Sequence, residues 1–296
     1  MTLSAKAALQ KAVDIFKAAD ITSCIENPRL EAELLLAHIL KITRSRLIIH
    51  SDQVISASAL QEYEQLVTKK LTGIPTAYLL GNAEFFGRKF YVNKDVLIPR
   101  PETEELVEWI LSTTAHADTT AYSILDLCAG SGCIGITLAC EIKPAFVCLC
   151  DLSDAALKIA QQNLSLLSQL KHDQPSFHIE IIKSNLFNEI QKSSFNLIVS
   201  NPPYVTFNEY ENLDRNVKNF EPREALLVLQ PDEFNTRLVR GAYDHLCSSG
   251  WLYLETSPTL INSLYEIFKT AGFSYIETKK DLSGKERFIR GQKKLI

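Results

Sequence analysis

Ser123-Ile124-Leu125-Asp126-Leu127-Cys128-Ala129-Gly130-Ser131-Gly132-Cys133-Ile134-Gly135 runs from a short apolar strand pattern through a glycine-rich turn into an apolar helical pattern. Glycines at 130 and 132 let the backbone turn tightly and approach a ligand at the start of the next helix, where free N–H groups collect. Downstream the periods keep alternating: Ile134 to Glu141 and Ala155 to Leu164 repeat as helices, while Ala145 to Cys150, His178 to Ile182 and Phe195 to Val199 read as strands. Such alternation predicts an α/β fold, a parallel sheet with helices on both faces. Phe234 to Leu246 and Thr259 to Ala271 read as further helices around a strand at Trp251 to Glu255, and strands near Ser274 to Thr278 and Arg287 to Arg290 follow.

Upstream the pattern is different. Leu9, Ala12, Val13 and Phe16 repeat at helical spacing, as do Leu30, Leu34 and Ala37, then Leu60, Tyr63, Val67 and Leu71. Asn27-Pro28 and Ser58 with Gln61 read as helix starts. Residues 1–75 are therefore expected to form a small helical bundle that recognises rather than catalyses. From Tyr78 to Ile98 β-type residues take over, with Asn93-Lys94-Asp95 as a turn, so 76–99 reads as a β-hairpin linker and 100–296 as the catalytic domain. Pro101 followed by Glu102, Glu104 and Glu105 opens a helix whose first turn carries acids where the dipole favours them.

Composition bounds the possibilities. With 296 residues, 46% of them hydrophobic and 22% charged, the chain suits one large domain or two smaller ones. No stretch approaches the apolar length of a membrane span and no leader pattern opens the chain, so a cytoplasmic protein without a membrane partner is expected. Seven cysteines without a C-x-x-C pair suggest neither a disulfide frame nor a zinc knuckle, and the scattered histidines suggest no metal. Cys133, Cys140 and Cys148 read as small core residues, and Cys148 and Cys150 as alternate residues of one strand. A net charge of −4 argues against a large electrostatic footprint on nucleic acid.

In a sheet of this kind ligands bind at the carboxyl ends of the strands. One end carries Asp126 and the glycine turn; the next carries Asp151, whose two oxygens suit the two hydroxyls of a ribose. Gly130-Ser131-Gly132-Cys133-Ile134-Gly135 also fits G-x-G-x-x-G, so the glycines alone do not choose between NAD and S-adenosylmethionine. Asn201-Pro202-Pro203-Tyr204, after the apolar Leu197-Ile198-Val199, tips the choice toward a methyl donor and an amine or amide acceptor. Pro203 removes a backbone donor and drives Pro202 toward an extended conformation, so the turn offers carbonyl acceptors. Asn201 adds a side-chain acceptor and Tyr204 a ring face.

Taken with Gly81-Asn82-Ala83-Glu84-Phe85-Phe86-Gly87, the run Val96-Leu97-Ile98-Pro99-Arg100-Pro101-Glu102-Thr103-Glu104, Glu221-Pro222-Arg223-Glu224-Ala225-Leu226 and Lys280-Asp281-Leu282-Ser283-Gly284, the chain resembles the protein-(glutamine-N5) methyltransferases of the HemK/PrmC type over nearly its whole length. The resemblance implies a class I, Rossmann-like methyltransferase that uses S-adenosylmethionine to modify the Gly-Gly-Gln glutamine of peptide chain release factors. It also implies that Cys128, Ala129, Gly130, Ser131 and Gly132 line the methionine part of the donor, with Asp126 and Asn201 among the donor-binding residues. Asp151 would hold the ribose, and Asn185 and Leu186 would flank the adenine. Asn185 stands where the family commonly has an acid.

A carboxamide nitrogen is a poor nucleophile, because its lone pair is delocalised into the carbonyl. Positioning must supply much of the catalysis, so Asn201 and the Pro202 carbonyl are expected to accept the two N–H groups of the glutamine while Tyr204 packs on the amide plane. A rival reading is an adenine-N6 methyltransferase acting on DNA or RNA, whose flipped base offers the same planar NH2. A third is a non-catalytic binding module that keeps the fold. The long segment from Val205 to Asp232 is placed to close over a substrate.

Overall fold

The computed structural model describes residues 3–19, 25, 27–114, 122–170, 178–191 and 194–295. Cys24, one of the seven cysteines, lies outside the described residues. The chain divides into two compact units, Met1–Asn82 with Asn212–Glu221, and Ala83–Glu211 with Pro222–Ile296. Among the described residues no helix is long and apolar enough to cross a membrane.

The first unit is helical: α1 (Ala5–Ala18), α2 (Pro28–Leu40), α3 (Arg44–Ile49), α4 (Ala57–Leu71) and α5 (Thr76–Leu80). Ser4, Asn27, Thr43 and Ser56 each accept a backbone N–H from the first turn of their helix. The start of α4 thus falls at Ser56, two residues before the expected Ser58, because Ser56 has the extended backbone a cap needs and its Oγ takes the Ala59 N–H at 3.2 Å. Leu9, Ala12, Val13 and Phe16 are buried as their spacing predicts. In α2 the buried stripe is Ala32, Leu35 and Leu36 with Ala37, whereas Leu30 and Leu34 are half-buried. Glu33 is buried there because Arg29 and Arg44 both bind its carboxylate, and they hold its pKa below the usual range against the opposing effect of burial.

The second unit begins with a hairpin, β1 (Asn82–Phe85) and β2 (Arg88–Tyr91), so Tyr78, read as β-type, instead lies in the short helix α5. Lys94 and Asp95 turn as expected, with Asn93 Oδ1 accepting the Asp95 N–H at 2.9 Å. There follow α6 (Pro101–Thr114), β3 (Ser123–Leu127), α7 (Cys133–Ile142), β4 (Phe146–Asp151), α8 (Asp154–Leu170), β5 (His178–Lys183) and β6 (Phe195–Ser200). The segment after β6 carries short helices α9 (Phe207–Glu211) and α10 (Arg215–Phe220), the latter assigned to the first unit. Its base is pinned where Val205 exchanges backbone hydrogen bonds with Leu226 and Val228 at 2.9 Å. The chain ends with α11 (Pro231–His245), β7 (Leu246–Glu255), α12 (Ile261–Ala271), β8 (Ser274–Lys280) and β9 (Glu286–Gln292).

Seven strands form one sheet in the order β5-β4-β3-β6-β7-β9-β8. The first five are mutually parallel, while β9 runs antiparallel between β7 and β8, a departure from the all-parallel dinucleotide-binding sheet. Both faces are buried: Ile124, Val147, Leu149, Leu197 and Val199 pack on one side, and Leu125, Leu127, Cys148, Cys150 and Ile198 on the other. Cys140 is half-buried rather than core. β7 starts at Leu246, five residues before the expected Trp251, because residues 247–250 bulge out between the Phe195↔Leu246 and Leu197↔Trp251 pairs. The sheet order reverses at β3, which sits between β4 and β6, so the carboxyl ends of β3 and β6 face one crevice.

Candidate active site

At the end of β3 the backbone makes three left-handed steps, at Cys128 (φ 57°), Gly130 (φ 55°) and Gly132 (φ 77°). A methyl at Gly132 would sit 3.0 Å from Ile136 and 3.3 Å from Ala160, and one at Gly135 only 2.3 Å from Leu149, so these glycines are demanded by inward packing. Gly130 is different: a methyl there meets nothing within 4 Å, so the turn opens outward at this residue. That open cradle, beside a carboxylate and the start of α7, fits a ligand bearing hydroxyls and a charged amino-acid end.

Asp126 lies under the turn. It has no exposed surface, and its Oδ2 accepts the Gly135 N–H at 2.8 Å, fastening α7 to β3. Placed so, it supports the glycine turn from beneath. Burial pushes its carboxyl up to about 7, the Gly135 N–H opposing and the Asp151 charge adding to the effect. Asp151 ends β4 with Oδ2 on the Gly130 N–H and Oδ1 on the Ser153 N–H, both at 2.9 Å. Burial raises its pKa while these backbone donors lower it. Ala129 and Ser131 are buried, and the Ser131 carbonyl accepts a bond from Asn163 at 2.9 Å. The Cys128 thiol, half-buried, is held well above its usual range by burial.

Beyond β5, Asn185 is exposed and its amide oxygen accepts a bond from Arg237 at 3.2 Å. Leu186, at φ 54°, turns its side chain into the core against the second sheet face. Of the pair, Asn185 is therefore the residue with surface to offer.

Across the switch point, Ser200 Oγ donates to the Leu127 carbonyl at 2.6 Å and ties the two strand ends together. Asn201, half-buried, donates through Nδ2 to Thr103 Oγ1 at 3.1 Å. Thr103, near the start of α6, donates to Glu255 Oε2 at 2.7 Å, and Tyr204 donates its hydroxyl to Glu255 Oε1 at 3.0 Å. Pro202 is buried and Pro203 half-buried. Glu255, at the end of β7, is 1% exposed, and burial pushes its carboxyl up to about 7 against the Thr103 and Tyr204 hydrogen bonds and the Arg287 charge. Burial and the adjacent Glu255 hold the Tyr204 hydroxyl far above an ordinary phenol. Arg287 is in turn paired with buried Asp281 at 3.2 Å.

Sequence reading placed Asn201 and Tyr204 at this crevice but missed Thr103 and Glu255. The available signals were a hydroxyl inside the Ile98-Pro99-Arg100-Pro101-Glu102-Thr103 run and an acid ending the buried strand Leu252-Tyr253-Leu254. Among the described residues no group of three or more His, Cys, Asp or Glu is placed to hold a metal ion.

Residues 7–81 match the family model described as PrmC N-terminal domain, and residues 107–219 match the methyltransferase small domain. A release factor glutamine methyltransferase of Leptospira interrogans is 37% identical over 283 residues, 95% of each chain. One of Koribacter versatilis is 35% identical over 295 residues, 99% of each chain. Among solved structures, the T. thermophilus 16S rRNA N2 G1207 methyltransferase in complex with AdoMet and guanosine superposes with a TM-score of 0.51 at 16% identity, covering 72% of this chain and 50% of that one. That last likeness is one of fold.

Proposed function

Because the chain belongs to the release factor glutamine methyltransferase family, we propose that it transfers a methyl group from S-adenosylmethionine to N5 of the glutamine in the Gly-Gly-Gln motif of peptide chain release factors. The observation that carries the chemistry is the Asn201-Pro202-Pro203-Tyr204 turn at the switch point, facing the glycine turn across the ends of β6 and β3. When bound, S-adenosylmethionine supplies a methyl on a positively charged sulfur that is already an activated leaving group. In this reading Cys128 and Gly130, on the supporting backbone of Ala129, Ser131 and Gly132, hold its methionine part, Asp151 its ribose and Asn185 its adenine edge.

The acceptor is held by the turn. Asn201 commits its Nδ2 to Thr103, which leaves the Oδ1 acceptor for one N–H of the glutamine. The Pro202 carbonyl takes the other N–H, since Pro203 brings no competing donor. With both hydrogens fixed, the nitrogen is oriented and positive charge developing on it meets two oxygens. Tyr204 packs its ring on the amide plane, its hydroxyl anchored by Glu255. Residues 1–75 recognise the release factor, 76–99 link, and 100–296 catalyse.

The test is transfer of labelled methyl from S-adenosylmethionine to a release factor or to unmethylated DNA, with the label located by mass spectrometry. Label on the Gly-Gly-Gln glutamine is expected; label on DNA adenine alone would overturn the assignment.

A further inference from the structure

One buried carboxylate touches Tyr204 of the acceptor turn directly and Asn201 through Thr103 of α6. Oε2 of Glu255 takes the Thr103 hydroxyl at 2.7 Å, and Oε1 takes the Tyr204 hydroxyl at 3.0 Å. A threonine hydroxyl has a single hydrogen. Once Thr103 has given it to Glu255, its oxygen has only lone pairs left for Asn201, so the Asn201 group 3.1 Å away must be the NH2. The direction of the chain is thereby set by the carboxylate: acceptor at Glu255, donor then acceptor at Thr103, donor at Asn201 Nδ2. The opposite end of the same carboxamide is an oxygen.

We propose that Glu255, acting through Thr103 and Tyr204, is the positioning residue that fixes the polarity of Asn201 and the attitude of the Tyr204 ring, and so turns the Asn201-Pro202-Pro203-Tyr204 turn into a pure acceptor for an NH2 group. The inference rests on the reading of Asn201 as the acceptor of the glutamine N–H. Its geometry is well supported from behind: Glu255 is 1% and Thr103 2% exposed, so water does not compete for these bonds. The Arg287 charge also acts on Glu255, while Asp281 holds the guanidinium by its Nε at 3.2 Å.

Reversal of the chain is the diagnostic. Glu255→Gln keeps the shape but leaves one acceptor oxygen for two hydroxyl donors, so an NH2 faces Thr103 or else displaces the Tyr204 hydroxyl from its acceptor. When Thr103 accepts from that NH2 its own hydrogen is freed toward Asn201, which must then turn its oxygen to Thr103 and present NH2 to the incoming NH2. Two donors facing each other cannot hold the substrate. Thr103→Val removes the link while preserving volume, and Thr103→Ser restores the hydroxyl.

The experiment uses the full chain and an intact release factor, measuring the donor dissociation constant by calorimetry and the single-turnover methylation rate for wild type, Asn201→Ala, Glu255→Gln, Thr103→Val and Thr103→Ser. Glu255→Gln and Thr103→Val are expected to slow turnover by about 100-fold, the scale of a misaligned reacting group, with donor affinity within about twofold of wild type. Thr103→Ser is expected to recover most of the rate. If Asn201→Ala is slow while Glu255→Gln and Thr103→Val turn over at the wild-type rate, the positioning role is overturned and the acceptor role stands. If Asn201→Ala itself turns over normally, the underlying reading of the turn has failed. Failure of Thr103→Ser to recover the rate lost in Thr103→Val also counts against the relay.

Discussion

Gly130 and Gly135, five residues apart, answer opposite demands of one turn. Gly135 faces inward, where a methyl would press on Leu149 at 2.3 Å and on Asp126 at 2.9 Å. Gly135→Ala is therefore expected to cost about 1–3 kcal/mol of stability by overpacking, measured by urea unfolding. Gly130 faces outward into open space at φ 55°, so Gly130→Ala is expected to cost about 1 kcal/mol of backbone strain yet to weaken S-adenosylmethionine binding out of proportion, read by calorimetry. Glu255 gives a pH prediction. Its folded pKa is raised to about 7 by burial, so below that value the folded chain keeps a proton the unfolded chain has released. Stability from this group is present at low pH and falls as pH rises toward 7, by at most about 1.4 kcal/mol per unit. Glu255→Gln does not titrate, so the unfolding free energy of wild type minus variant is expected to decrease from pH 5 to pH 8 and then level off; a difference that grows over that range would refute the assignment. Single residues were legible where their chemistry is local, as in the prolines beside Asn201. The Thr103–Glu255 bond spans 152 positions of sequence, and nothing in the linear pattern pairs those two.

Elements were legible where both faces of a strand or one face of a helix carry a clean period. β3, β4, β5 and β6 fall within a residue or two of their expected limits, because β3, β4 and β6 are short apolar runs and β5 alternates between isoleucine and polar residues at its start. β7 was misjudged at its start, since the bulge at 247–250 interrupts the period. The insertion of β9 between β7 and β8 is a matter of pairing, which strand periodicity does not encode. One side chain shows how elements are fastened around the glycine turn. Asn163 on α8 is 2% exposed, accepts the Tyr91 N–H at 2.6 Å, and donates to the Tyr91 and Ser131 carbonyls at 3.1 and 2.9 Å. It joins the hairpin strand β2 to the glycine turn. Asn163→Ala removes the partner of all three backbone groups and leaves the buried Ser131 carbonyl unpaired, so a loss of about 1–3 kcal/mol is expected in urea unfolding, accompanied by weaker donor binding.

At the scale of the whole molecule, the chain leaves the second unit after Glu211 and returns to it at Pro222, with residues 212–221 belonging to the helical unit. Sequence reading took 205–232 as one long loop, because the short helices α9 and α10 are below the length at which a period can be recognised. The change of character along the chain is visible in the sequence, since the helical repeat of the first seventy residues gives way to strand and helix alternation after the hairpin. In this reading the turn after β6 serves the glutamine far more than it serves the donor. The most direct measurement is a comparison of wild type and Asn201→Ala for donor affinity and for the single-turnover rate on a release factor. Donor affinity within about twofold of wild type and a rate lowered by about 100-fold or more are expected, as when an orienting acceptor is lost. Equal losses in both quantities, or no loss in either, would contradict this reading.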